Sequence, residues 1–470
     1  MPAAGGASCL ALLLILRAAS AFMPLKGPSS SAPTGMSSTG TPLCAVQAGY
    51  DRATDRVESF IIPTLQKAFG SELTTYELIG DKIIQPNAVG MKLRLPKSDR
   101  WPSEVFLKQV LATDFVDARS DWGDLRRTLL YARTELRFYR DVLPDMNKKG
   151  FHAAPECYYA QYDFDGWIDE EEHATAPADA NVEKDNLPNP LEKGGWLLLE
   201  CISADTHMQD SPLSIDQAKQ CLKAAAELHA SAWEDRELLD KANKELSRAA
   251  FNLQMRNPKE LAGIEGAWDN FCSNFEDDLK ANGLWTENVL NLGKRIKAVA
   301  EYVSKECTPT PNDSYATVIH GDYKAMNVMM GIDPITTPTI MIDMASASCG
   351  LGMSDVAMHI HHAVNPEDLD DEGEESLVDY YINTLRDLGC EYPEEVAKRH
   401  YKLSVLDYAR FFMGRMWKSA TPETMAQKKD NKNIANINRS VPSAMRFVKV
   451  VDRYLTELEA TAAKPNSTNT

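Results

Sequence analysis

The chain has 470 residues, with 68 acidic against 50 basic side chains and a formal net charge of −18 at pH 7. So acidic a surface repels phosphate backbones and speaks against nucleic acid as a partner, but not against a nucleotide in a cleft where one lysine and a divalent ion set the local field. A mature chain of about 420–450 residues is too long for one compact core and suits two lobes with a site in the crevice between them.

Cys9 to Leu16 form an apolar run far short of the roughly 20 residues that a membrane span needs, and Ala19-Ser20-Ala21 offers small residues for cleavage. Residues 1–21 therefore read as a signal peptide. The junction Ala19-Ser-Ala-Phe-Met-Pro24 resembles that of proteins routed to the complex plastids of algae, where Phe follows the cut. From Phe22 to Tyr50 there is no Asp or Glu, so residues 22–49 read as a plastid-type transit peptide or, for a secreted or endomembrane protein, a disordered linker.

Strand-like runs dominate from Thr74 to Val110 and around residues 157–200, which gives an upper lobe over 50–200. Gly80 and Gly90 flank a turn in this region, without a G-x-G-x-x-G pattern to fix a phosphate loop. Glu104 to Leu111 reads as a buried strand carrying Lys108, and Ala132 to Tyr139 as a helix carrying Glu135. A lysine in an apolar strand is costly without a partner charge, so pairing with Glu135 would account for it. The alternatives are an edge-strand lysine facing water and a solvated helix glutamate. The acidic run from Asp163 reads as a hairpin insertion, 163–193, between the strands that end near Tyr162 and begin near Trp196.

Helical periodicity dominates from Ile215 to Val303 and from Glu375 to Glu459, which gives a helical lower lobe over 201–458 and a tail over 459–470. The fold class expected is α+β, a small sheet lobe above a mainly helical one. Within the lower lobe stands His320-Gly-Asp-Tyr-Lys-Ala-Met-Asn327, and Asp343 follows 16 residues after Asn327 behind the apolar Ile340-Met-Ile342. This spacing suits phosphoryl transfer: Asp322 as the base for an attacking hydroxyl, with Asn327 and Asp343 as magnesium ligands. The plain alternative is a polar turn in which His320 and Asp322 satisfy backbone groups.

The octet and Asp343 resemble the choline/ecdysteroid kinase-like (CHK) branch of the aminoglycoside phosphotransferase and choline kinase group. The resemblance spans roughly residues 60–450 and implies a two-lobed protein kinase-like fold, with a small antiparallel sheet in the N-lobe and a larger helical C-lobe. It further implies ATP and Mg2+ as cofactors and a small-molecule hydroxyl as acceptor. On this resemblance Lys108 holds the nucleotide phosphates, Glu135 pairs with it, and the strand ending at Glu200 meets the adenine ring through its backbone. Lys324 either reaches the γ-phosphate or is a surface lysine, Asp355 braces the catalytic loop, and His229 is a satisfied core histidine. Met344 departs from the aromatic residue common after the metal-binding Asp, a change that a flexible thioether tolerates in packing.

Cys157, Cys201, Cys221, Cys272, Cys307, Cys349 and Cys390 show no C-x-x-C spacing and read as reduced thiols without a disulfide framework or a zinc site. His359, His361 and His362 lack partner ligands at metal spacing and read as packing or capping residues, the alternative being a metal site on the helix face that His359 and His362 share. The reading reached is an ATP- and magnesium-dependent small-molecule kinase; the alternative is a catalytically inactive kinase-fold protein that binds a nucleotide or metabolite as a regulator. A protein kinase is disfavoured because no A-P-E-like anchor follows Asp343.

Overall fold

The computed structural model describes residues 59–85, 88–111, 122–164, 194–249, 251–256 and 258–462. The expected signal and transit segments, the acidic run within 165–193 and the end of the tail lie outside the described residues.

The upper lobe is built on five antiparallel strands: β1 (Glu77–Gln85), β2 (Ala88–Arg94), β3 (Glu104–Leu111), β4 (Cys157–Asp163) and β5 (Gly194–Glu200). They lie in the order β1-β2-β3-β5-β4, which puts β3 at the centre of the sheet and removes the edge-strand reading of Lys108. Alternation along β3 sends Val105 and Leu107 to one face, where they pack with Ile61 and Leu65 of the helix over 59–69. Val110, with Leu197 and Leu199 of β5, faces the other way into a cluster shared with Leu136 of the helix Trp122–Arg137. Gly195 makes that second packing possible, because a Cβ there would collide with the Leu136 side chain.

The lower lobe is mainly helical. Its long helices include Ile215–Ser231, Leu292–Glu306, Asp371–Asp387, Glu394–Phe411 and Val441–Ala462. Short strands carry the loops of interest. β6 (His207–Met208), β8 (Val328–Gly331) and β9 (Ile340–Met341) form one small sheet, and β7 (Ala316–Ile319) pairs with β10 (Ser348–Leu351) in another. The His320–Asn327 octet thus runs from the end of β7 into β8, and Asp343 follows β9. β10 leads directly into the helix Gly352–Ala363, whose residues are all buried. Among the described residues no helix is long and apolar enough to cross a membrane.

Candidate active site

The octet is pinned from below before it presents anything to the cleft. Asp355, fully buried in the first turn of helix Gly352–Ala363, accepts the backbone N–H of His320 at 2.6 Å and of Gly321 at 2.9 Å. Its Oδ2 also lies 3.2 Å from His229 Nε2, while His229 Nδ1 meets the Tyr381 hydroxyl at 2.9 Å. His229 is therefore a satisfied core histidine that steadies Asp355, and Asp355 ties down the loop as expected. Two donors from consecutive residues on one carboxylate fix a tight turn. Gly321 occupies its bend at φ +74°, and a Cβ there would run into the Ser346 carbonyl oxygen. The absent side chain lets the octet lie directly against the turn that follows Asp343.

The remaining octet bonds set orientation. His320 Nδ1 accepts the Asp322 N–H at 3.3 Å, so Nε2 carries the proton it donates to the Ile342 carbonyl at 3.0 Å. Tyr323 points inward, its hydroxyl donating to the Cys221 carbonyl at 2.5 Å, and its own carbonyl accepts from His359 Nδ1 at 3.1 Å. Alternation then turns Asp322 and Lys324 to the other side, where Lys324 Nζ lies 2.8 Å from Asp322 Oδ2. Lys324 is buried, so the surface-lysine reading does not hold. Asn327 Nδ2 donates to the Asp322 carbonyl at 2.9 Å and to Oδ2 at 3.3 Å, which leaves the amide Oδ1 without a donor among the described residues.

Above this loop Lys108 Nζ sits 2.8 and 2.7 Å from the two oxygens of Glu135, both side chains being buried. The same ammonium lies 3.6 Å from Asp343 Oδ1. Burial works against the Lys108 charge, but Glu135 and Asp343 outweigh it and hold its pKa above the ordinary value. Burial likewise opposes the Asp343 charge and is outweighed by Lys108, Lys324 and His320, which hold the carboxyl below its usual range. Asp343 has left-handed backbone angles, φ 63° and ψ 58°, which a short polar side chain tolerates and which lift it out of the strand direction.

Lys108, Glu135 and Asp343 are thus brought together, and Asp322, Lys324 and Asn327 form the facing group on the octet. Glu200 is not brought among them. It is exposed at the end of β5, where its carboxylate accepts the Glu156 N–H at 3.3 Å. Gly80 lies in the irregular stretch of β1 with φ +69°, and Gly90 pairs with Lys108 across β2 and β3. The three histidines are buried in the helix Gly352–Ala363, and burial pushes His359 and His361 down to about 4, keeping both neutral. All seven described cysteines are free thiols.

The sequence reading missed the groups that close the loop's far side. Gln209 Nε2 donates to the Met326 carbonyl at 2.5 Å, and two residues later the Ser211 hydroxyl accepts from Arg439 at 2.6 Å. No motif marks these positions, because the contacts join segments more than a hundred residues apart. The one local signal is the density of cations in the stretch that ends at Arg439.

A small antiparallel sheet set over a helical body, with a buried lysine–glutamate pair facing a loop of the H-x-D-x-K-x-x-N type, defines the kinase-like fold of small-molecule phosphotransferases. The chain belongs to the ecdysteroid kinase-like family, whose model matches residues 119–390. Similar solved structures include the amicoumacin kinase hAmiN in complex with AMP-PNP, Ca2+ and Ami, at 11% identity over 88% of this chain and 99% of that one, with a TM-score of 0.45. The microcompartment-associated aminopropanol kinase matches at 11% identity over 82% and 93% of the two chains, with a TM-score of 0.42. Choline kinase LicA from Streptococcus pneumoniae matches at 12% identity over 86% and 99%, with a TM-score of 0.37. No curated protein matches the sequence.

Proposed function

We propose that this chain is an ATP- and magnesium-dependent phosphotransferase that phosphorylates a hydroxyl of a small molecule. The observation that carries the reading is the 3.6 Å approach of Lys108 to Asp343, which sets the lysine of the upper sheet against the carboxylate of the lower lobe. In this reading Lys108, held by Glu135, grips the nucleotide phosphates, and the backbone near Glu200 meets the adenine ring. The donor set fits a hard, octahedral cation: Asp343 supplies a carboxylate, Asn327 a free amide oxygen, and magnesium characteristically completes its shell with waters and substrate phosphates. Magnesium, when bound, would neutralise charge on the phosphate oxygens.

Asp322 accepts the proton of the acceptor hydroxyl as that oxygen bonds to the γ-phosphorus and the bond to the ADP oxygen breaks. In this reading Lys324, which lies against Asp322, turns to the transferring phosphoryl group. Calorimetry on the mature chain tests the reading: Mg-ATP binds the wild type, and Asp343→Asn weakens that binding at least tenfold. A wild type that takes no Mg-ATP, or an Asp343→Asn variant that binds it equally, refutes it.

The division into a nucleotide-binding lobe over 50–200 and a helical lobe over 201–458 forms part of the same proposal, as does import. Residues 1–21 and 22–49 would act as signal and transit peptides for a complex plastid, and Phe22→Ala should strand a fluorescent fusion outside it. A wild-type fusion found in the medium or the cytosol removes the import proposal.

A further inference from the structure

The wall of the lower lobe beside the octet has a charge opposite to that of the whole molecule. In a chain of net charge −18, the stretch from Gln427 to Arg439 carries Lys428, Lys429, Lys432 and Arg439 against the single carboxylate Asp430. Three bonds hold this stretch to the octet's surroundings, and a fourth ties its partner segment to the octet. Arg439 donates to the Ser211 hydroxyl at 2.6 Å, and Lys432 pairs with Asp210 at 2.7 Å. The neighbouring Gln209 bonds the Met326 carbonyl at 2.5 Å, one residue before Asn327. Asn436 Nδ2 donates to the Val364 carbonyl at 2.9 Å, just past the helix that bears His362.

Two of these cations are under-compensated. Arg439 is 6% exposed, its hydrogen bonds go to the neutral Ser211 hydroxyl, Asn436 side-chain oxygen and Lys429 carbonyl, and it makes no salt bridge among the described residues. Its Nε–H is buried without an acceptor. Burial pulls its pKa below the ordinary value, with Asp210 and Asp430 opposing only through space. Lys428 is half-buried, has no hydrogen-bond or ion-pair partner among the described residues, and is lowered by burial alone. Beside Arg439, His362 is 5% exposed with Nδ1 unpartnered, and burial above all, with Lys324 and Arg439 adding to it, disfavours a charge on it. A cation taken out of water without a carboxylate is costly, and an incoming anion recovers that cost. Of the two carboxylates that act on Arg439 through space, Asp210 is already engaged by Lys432 and Asp430 is exposed to solvent.

We propose that the acceptor is a hydroxylated compound bearing an anionic group, a carboxylate or a phosphate, which Arg439 and Lys428 hold while its hydroxyl faces Asp322. The proposal rests on the phosphotransferase reading and narrows its substrate class against neutral sterols and cationic amino alcohols. Two basic groups at one end and a carboxylate base at the other orient a substrate that is negative at one end and carries its nucleophile at the other.

The test is calorimetric, on the mature chain saturated with magnesium and a non-hydrolysable ATP analogue so that the nucleotide phosphate site is filled. Glycerate, glycerol 3-phosphate, glycerol and ethanolamine serve as probes, each with a free hydroxyl. One or both anions bind, identifying the carboxylate or the phosphate as the preferred group, and glycerol and ethanolamine do not. Arg439→Gln weakens anion binding at least tenfold and Lys428→Gln several-fold, with analogue affinity unchanged. Should Arg439→Gln fail to fold, Lys428→Gln decides alone. If the analogue binds but neither anion does, if glycerol or ethanolamine binds as tightly, or if the folded variants bind the anions like the wild type, the anionic acceptor is overturned and the phosphotransferase reading stands. If the analogue itself does not bind, the phosphotransferase reading fails and this proposal with it.

Discussion

Lys108 and Glu135 offer the sharpest separation of folding from binding. The ammonium bonds both carboxylate oxygens, at 2.8 and 2.7 Å, and also balances Asp343 at 3.6 Å. Lys108→Met fits an unbranched chain of similar length into the strand but leaves Glu135 as an uncompensated buried carboxylate. Breaking one partner of such a pair costs about 3–5 kcal/mol. With a urea dependence of about 3 kcal/mol per M, the unfolding midpoint should fall by roughly 1–1.7 M. Adding Glu135→Leu removes the stranded charge and should restore most of the midpoint, because apolar replacement of a whole buried pair is close to neutral. Mg-ATP affinity, read by calorimetry, should be lost in the single and in the double variant alike. Stability would then return without function. A Lys108→Met protein with an unchanged midpoint, or a double variant no more stable than the single, would show that the pair carries no such energy; wild-type Mg-ATP affinity in either would remove Lys108 from the nucleotide site.

Three further outcomes are expected. Asp322→Asn keeps the shape of the side chain but removes the base, so turnover should drop by about two to four orders of magnitude while Mg-ATP affinity stays within a factor of about two; equal turnover excludes Asp322 as the base. Gly321→Ala places a Cβ at φ +74° against the Ser346 carbonyl and should cost more than about 2 kcal/mol in urea unfolding, with activity lost as the octet and the Asp343 turn are pushed apart; wild-type stability would mean the loop yields freely. Burial holds His359 and His361 at about 4 against an ordinary 6.5, so the unfolded chain takes up their protons first as pH falls. Their contribution is complete above pH 6.5 and declines towards pH 4, by about 3 kcal/mol for each histidine. His359→Gln, which keeps a donor for the Tyr323 carbonyl, should lose less melting temperature over that interval than the wild type, and equal slopes would refute the assignment.

What the sequence determined by itself is the chemistry that lies close together along the chain. The octet could be read because its residues act through spacing: Asp322, Lys324 and Asn327 meet within one turn, and Asp355 reaches back to that turn from the helix that follows β10. A short apolar run, Val105 to Leu107 and Val110-Leu111, likewise marked the Lys108 strand, since a central strand is covered on both faces. Tertiary structure alone decided which charges meet. Lys108 and Asp343 are 235 positions apart, and their approach depends on the two lobes closing over one cleft. Exposure separated Lys324 from a surface lysine and left Glu200 at the sheet's end, a distinction that depends on neighbours rather than on local pattern. Arg439 was illegible for the same reason: its meaning lies in being buried beside Ser211 without a carboxylate, and burial is a property of the packed chain.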